Sequence, residues 1–125
     1  MHFLWVGIGG FLGANARFAL GRFIGHHLGI TFPWGTGIVN ISGAFLIGVI
    51  FTLLTDRVVD DPMWRQLVII GFLGGYTTFS SFTFESVAMM QDGRWLPALG
   101  YIIGSNVIGL LACFGGIWLV RTIGL

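Results

Sequence analysis

Three clusters of polar residues interrupt otherwise apolar sequence, and their types suit the holding of ions rather than the making of bonds. The richest is Gly71-Phe72-Leu73-Gly74-Gly75-Tyr76-Thr77-Thr78-Phe79-Ser80-Ser81-Phe82-Thr83-Phe84. Adjacent glycines weaken a helix, and Thr77, Thr78, Ser80, Ser81 and Thr83 put five hydroxyls into seven residues. A helix broken near Gly74–Thr78 is expected. Freed carbonyls at such a break can hold a hard cation such as Na⁺. The competing use is a glycine kink with hydroxyls bonded back to the helix. Phe79 and Phe82 are three apart and share a helix face. Phenyl edges carry partial positive charge, so they can stabilise a small dehydrated anion, although ordinary aromatic packing is the commoner role.

The second cluster is Gly35-Thr36-Gly37-Ile38-Val39-Asn40-Ile41-Ser42-Gly43. The Asn40 amide offers two N–H donors and an acceptor oxygen, suited to an anion or to a hydrogen bond between helices. The third runs from Gly9 to Arg17. Arg17 lies deep in an apolar stretch, where it must snorkel, pair, cap carbonyls or serve an ion directly. Catalytic chemistry is missing. There is no paired acid, no nucleophile beside a base and no phosphate-cradling loop with a lysine, so no enzyme is expected. Cys113 is the single cysteine, within an apolar run and without metal-ligand spacing around it.

These clusters need elements that hold them inside a membrane. The chain has 125 residues, 55% of them hydrophobic and only 9% charged, with a mean hydropathy of +0.90. A soluble domain carries roughly 25% charged residues. A net charge of +1 provides no field for nucleic acid, and no nucleic-acid partner is expected. Four spans emerge, at about 3–23, 34–54, 64–90 and 96–123, forming a single four-helix transmembrane domain over 1–125. The expected loops are Gly25–Thr31, Thr55–Pro62 (with Asp56, Arg57, Asp60 and Asp61) and Met90–Arg94. The apolar stretch Phe3–Leu12 reads as part of a mature first helix rather than a cleaved signal. Trp5, Trp34, Trp64, Trp95 and Trp118 fall near span ends, as in an aromatic belt. Glycine pairs four apart (Gly9/Gly13, Gly71/Gly75, Gly100/Gly104) predict close helix packing within and between subunits.

Arginine placement decides orientation. Arg57, Arg65 and Arg121 flank one membrane side, and Arg22 and Arg94 the other. That near-balance permits insertion both ways up and an antiparallel homodimer. A single weakly biased orientation fits the count equally well.

Residues 71–82 resemble the signature of the Fluc (CrcB-type) fluoride channels. Gly10-x-x-Gly13-Ala14-x-x-Arg17 and Gly35-Thr36-x-x-Val39-Asn40-x-x-Gly43 resemble that family's other motifs, in order. The resemblance implies an all-α membrane protein with four transmembrane helices per subunit, assembled as an antiparallel, dual-topology homodimer. It implies passive, selective fluoride export from a bacterial-type cell (inner) membrane, protecting against fluoride toxicity. Asn40, Phe79 and Phe82 match the fluoride pathway, with Ser80 and Thr36 as further polar groups on it. Gly74 and Thr77 match positions whose backbone carbonyls hold a structural Na⁺ at the dimer interface, and Arg17 is a supporting residue. In the fourth helix Tyr101 and Ser105 fit a polar track spaced by four. Gly109 leaves its next position empty, with Asn106 on an adjacent face as the candidate substitute. The chain departs from the family's frequent threonine at Ser81, which keeps a hydroxyl.

A proton-coupled small multidrug-type exporter is the alternative, and it needs a carboxylate in the membrane. Glu85 is the only carboxylate in an expected span. It lies toward the span's end, where an interfacial or pairing role is expected. A structural membrane subunit without transport is the third reading.

Overall fold

The structure, a computed structural model, describes residues 1–57 and 61–124; Asp60 of the expected second loop lies outside them. In chain order the helices are α1 (His2–Leu28), α2 (Trp34–Asp56), α3 (Pro62–Trp64), a π-helical stretch (Arg65–Leu73), α4 (Gly74–Tyr76), α5 (Phe79–Gln91) and α6 (Trp95–Ile123). Among the described residues there is no strand, and four stretches are long and apolar enough to cross a membrane. These are His2–Leu28, Trp34–Asp56, Pro62–Gln91 and Trp95–Ile123. The shortest has 23 residues, about 35 Å of helix against a hydrocarbon core of about 30 Å.

The helices run past the expected loops. Gly25 to Leu28 stay helical, and α1 stops at Gly29, whose φ of 84° a side-chain-bearing residue rarely adopts. Met90 and Gln91 close α5, and the turn is reduced to Asp92, Gly93 and Arg94. Gly93 takes a φ of 77° there. Its N–H bonds the Met90 carbonyl at 3.0 Å, and the Arg94 N–H bonds that of Met89 at 2.8 Å.

Short loops make the spans alternate in direction. At one end the Gln66 amide meets the His2 imidazole. Arg121 lies 3.5 Å from Asp56, and Arg57 donates to the Gly124 carbonyl at 3.3 Å. At the other end Arg94 donates to the Thr31 carbonyl at 2.6 Å.

Lipid supplies no hydrophobic drive between helices, so close fit must hold them. The π-helical stretch packs on α1, and α6 packs on α2. Both interfaces rest on glycine. A Cβ at Gly75 would come within 2.8 Å of the Gly10 carbonyl oxygen, and one at Gly116 within 2.5 Å of that of Phe45. Gly9 and Gly13 likewise face the backbone of Leu67 and Phe72, and Gly48 that of Cys113. A Cβ at Gly100 or Gly104 would meet nothing within 4 Å, so that pair provides no close helix approach within the subunit. The buried core is small. Met89, Ala98 and Tyr101 form one cluster, with Phe32, Phe82 and Met90 against it.

Candidate functional site

The third span breaks at Thr77 and Thr78, which adopt extended backbone between α4 and α5. Gly74 and Gly75 remain helical. Asn40 on α2 holds the break. Its Nδ2 donates to the Thr78 carbonyl at 3.0 Å, and its Oδ1 accepts from the Thr78 N–H at 2.8 Å. One side-chain amide thereby satisfies both backbone polar groups of a residue that a helix would otherwise have satisfied.

The four carbonyls of residues 74–77 lose their helical partners at the break, and no backbone bond joins the Phe79 or Ser80 N–H to Gly75 or Tyr76. The Gly74 oxygen would accept from the Thr78 N–H, which is bonded to Asn40. The Thr77 oxygen would accept from the Ser81 N–H, which instead bonds Thr78 Oγ1 at 3.2 Å. Arg17 Nε donates to the neighbouring Gly75 carbonyl at 3.1 Å, a cation at the negative end of α4. Arg17 therefore caps a carbonyl. Gly74 and Thr77 present hard oxygens of the kind that suits an alkali cation. Thr77 Oγ1 is bonded to the Leu73 carbonyl at 2.9 Å, leaving the backbone oxygen as the Thr77 donor.

Beyond the break, α5 begins with N–H groups that have no carbonyl one turn earlier. Thr78 caps it through the bond to Ser81, and its Oγ1 also reaches Ser81 Oγ at 3.1 Å and Ser80 Oγ at 3.3 Å. Phe79 leaves the first turn 76% exposed. Its ring centroid lies 5.9 Å from that of Phe82, tilted by 44°. Phe82 packs 5.1 Å from Tyr101, which meets Phe32 edge-on at 5.4 Å.

One turn further along α5, Glu85 joins two helices to its own. Thr36 Oγ1 on α2 donates to Oε2 at 2.9 Å, and the Tyr101 hydroxyl on α6 donates to Oε1 at 3.2 Å. Thr36 and Tyr101 thus meet through a carboxylate that sequence reading left as an interfacial or pairing residue. Its signal was its isolation as an acid within an apolar span. Ser105 is half-buried one turn beyond Tyr101 on the same face. Asn106 is exposed and bonds back to the Ile102 carbonyl at 2.7 Å, so it does not replace the group missing at Gly109.

Thr36, Thr78, Ser81 and Glu85 line a cavity of about 980 Å³ that opens at the Arg22 and Arg94 end of the bundle. Asn40, Ser80, Phe79, Phe82, Tyr101 and Ser105 lie outside its lining. Asn40 stands behind Thr78, and Tyr101 behind Glu85. The polar residues therefore form two groups. Asn40, Thr78, Ser80 and Ser81 surround the break, while Thr36, Glu85 and Tyr101 form a second network joined to the phenylalanine pair through the Tyr101 ring. Thr78, Ser81 and Glu85 are the contributors that sequence reading did not select.

Four long apolar helices, one broken at mid-depth, define a multi-pass membrane protein. The chain belongs to the CrcB family, because the model described as "CrcB-like protein, Camphor Resistance (CrcB)" matches residues 4–117. Similar curated proteins carry the name "Fluoride-specific ion channel FluC". That of Koribacter versatilis is 46% identical over 122 residues, covering 98% of this chain and 97% of the relative. That of Solibacter usitatus is 44% identical over 121 residues, with 97% and 99% covered. That of Aquifex aeolicus is 43% identical over 111 residues, with 89% and 90% covered. The family is one of ion channels, not of enzymes.

Proposed function

We propose that this chain is a fluoride channel, allowing passive export of the ion down its gradient across a bacterial inner membrane and protecting the cell from fluoride toxicity. The carrying observation is the near-full-length likeness to proteins named fluoride-specific ion channels, at up to 46% identity. The site chemistry supports it. Fluoride is strongly hydrated, and a pathway must replace its water while binding weakly enough to permit exit. Neutral donors meet that demand. The remaining Asn40 N–H, the hydroxyls of Ser80 and Ser105, and the edges of Phe79 and Phe82 supply the donors in this reading, while Thr36 and Tyr101 stand beside the pathway with their single hydroxyl hydrogens engaged by Glu85. Glu85 sets the direction of the Thr36 and Tyr101 hydroxyls.

The working unit is an antiparallel homodimer with dual topology. Three arginines against two at the membrane ends favour neither orientation strongly. Phe79 projects from the isolated subunit, where a second copy would cover it. Gly74 and Thr77 offer two backbone oxygens per chain, half of a four-oxygen set. A structural Na⁺ between two copies would complete that set and offset the charge of anions nearby.

Efflux from liposomes, read with a fluoride electrode beside chloride, tests the function. Fast fluoride release with negligible chloride release is expected, and folded protein that releases no fluoride would overturn it. Exhaustive replacement of Na⁺ by a bulky organic cation is expected to abolish release, with recovery on return of Na⁺. The Glu85 carboxylate also favours a proton-coupled exporter. Glu85→Gln would abolish drug–proton exchange in that case and leave fluoride release absent in both forms.

A further inference from the structure

The mouth of the 980 Å³ cavity carries two histidines that the proposed pathway does not use. His26 and His27 form the last turn of α1, both exposed. Their rings lie 5.4 Å apart, edge to face. His27 Nδ1 sits 2.9 Å from the Phe23 carbonyl. A carbonyl only accepts, so Nδ1 carries the hydrogen.

The charged groups around the cavity are few. On α1 they are Arg17 and Arg22, and Arg94 follows α5. Glu85 and Asp92 face them from α5 and its C-terminus. Three guanidiniums against two carboxylates leave a weakly positive cavity when both imidazoles are neutral. Two imidazoliums would raise that net charge to three.

We propose that His26 and His27, with Arg22 and Arg94, form a proton-tuned collecting site for small anions at the cavity mouth. This rests on the channel reading and adds its regulation: anion supply rises when the imidazoles are charged. Imidazole is the side chain that changes charge between about pH 5 and 8. Two charges within about one Debye length of the mouth are expected to raise anion supply about twofold at low salt. The effect shrinks at high salt and vanishes once fluoride saturates the pathway.

The test is fluoride efflux from phosphatidylcholine vesicles at limiting fluoride, low salt and matched pH on both sides, at about pH 5.5 and about pH 8. Net-neutral lipid removes anionic lipid as a competing occupant, and protein-free vesicles correct for leak of hydrogen fluoride. Wild type is expected to release fluoride about twofold faster at the lower pH. The His26→Gln/His27→Gln pair should give one rate at both values. His26→Lys/His27→Lys, permanently charged, should hold the faster rate at both. His2→Gln, at the opposite membrane end, should keep the wild-type ratio. A double glutamine variant that conducts with the wild-type ratio overturns the proposal while leaving the channel intact. Absence of fluoride release from wild type at either pH overturns the channel reading itself.

Discussion

Asn40 commits a donor and an acceptor to the backbone of a single residue, Thr78. Removing them leaves a half-buried N–H and carbonyl unmatched, so Asn40→Ala is expected to lower stability by about 1–3 kcal/mol. Thermal unfolding in detergent would show this as an early transition. Asn40→Asp keeps the acceptor for the Thr78 N–H but sets a carboxylate against the Thr78 carbonyl, and should cripple fluoride release. Phe79 offers the opposite case. At 76% exposure within the subunit, Phe79→Ile should alter subunit stability by no more than about 0.5 kcal/mol while strongly reducing release. A variant that unfolds early and another that folds but does not conduct separate support from passage. Asn40 and the phenylalanines were visible in the sequence because polar or repeated aromatic residues stand out in an apolar span. The role of Glu85 was not, because Thr36 lies 49 residues away and Tyr101 lies 16 away. Spacing along one helix cannot reveal partners on two others.

At the scale of elements, glycine content and hydropathy made four close-packed spans legible, and the Gly-Gly pair pointed to a break. The break lies just after those glycines, which both stay helical. Gly75 lets α1 approach at Gly10, and the extended backbone follows where Asn40 from α2 captures Thr78. The π-helical stretch of Arg65–Leu73, which packs on α1, left no mark in residue spacing. Gly75→Ala should therefore separate α1 from the third span and destabilise the fold by about 1–3 kcal/mol. Gly104→Ala, pointing into open space, should leave subunit unfolding unchanged. Chemical denaturation of both variants in the same detergent provides the comparison.

For the whole molecule, the apolar surface is continuous with what lipid or another copy must cover. Phe79, Phe84, Ile103 and Phe114 all point outward from the isolated subunit. The proposed antiparallel pair requires the chain to insert both ways up, and the small arginine imbalance makes that testable. Adding two arginines at the C-terminus is expected to fix one orientation and suppress fluoride release in cells. Co-expression with a chain biased the other way should restore it, while accessibility labelling from each side reports the orientations directly. The Asn40 clamp also carries a consequence for biogenesis. Asn40 precedes Thr78 by 38 residues, so the ribosome delivers the receptor before the segment that needs it. The unwound turn can be received by a helix already made, rather than waiting in lipid for one still to come.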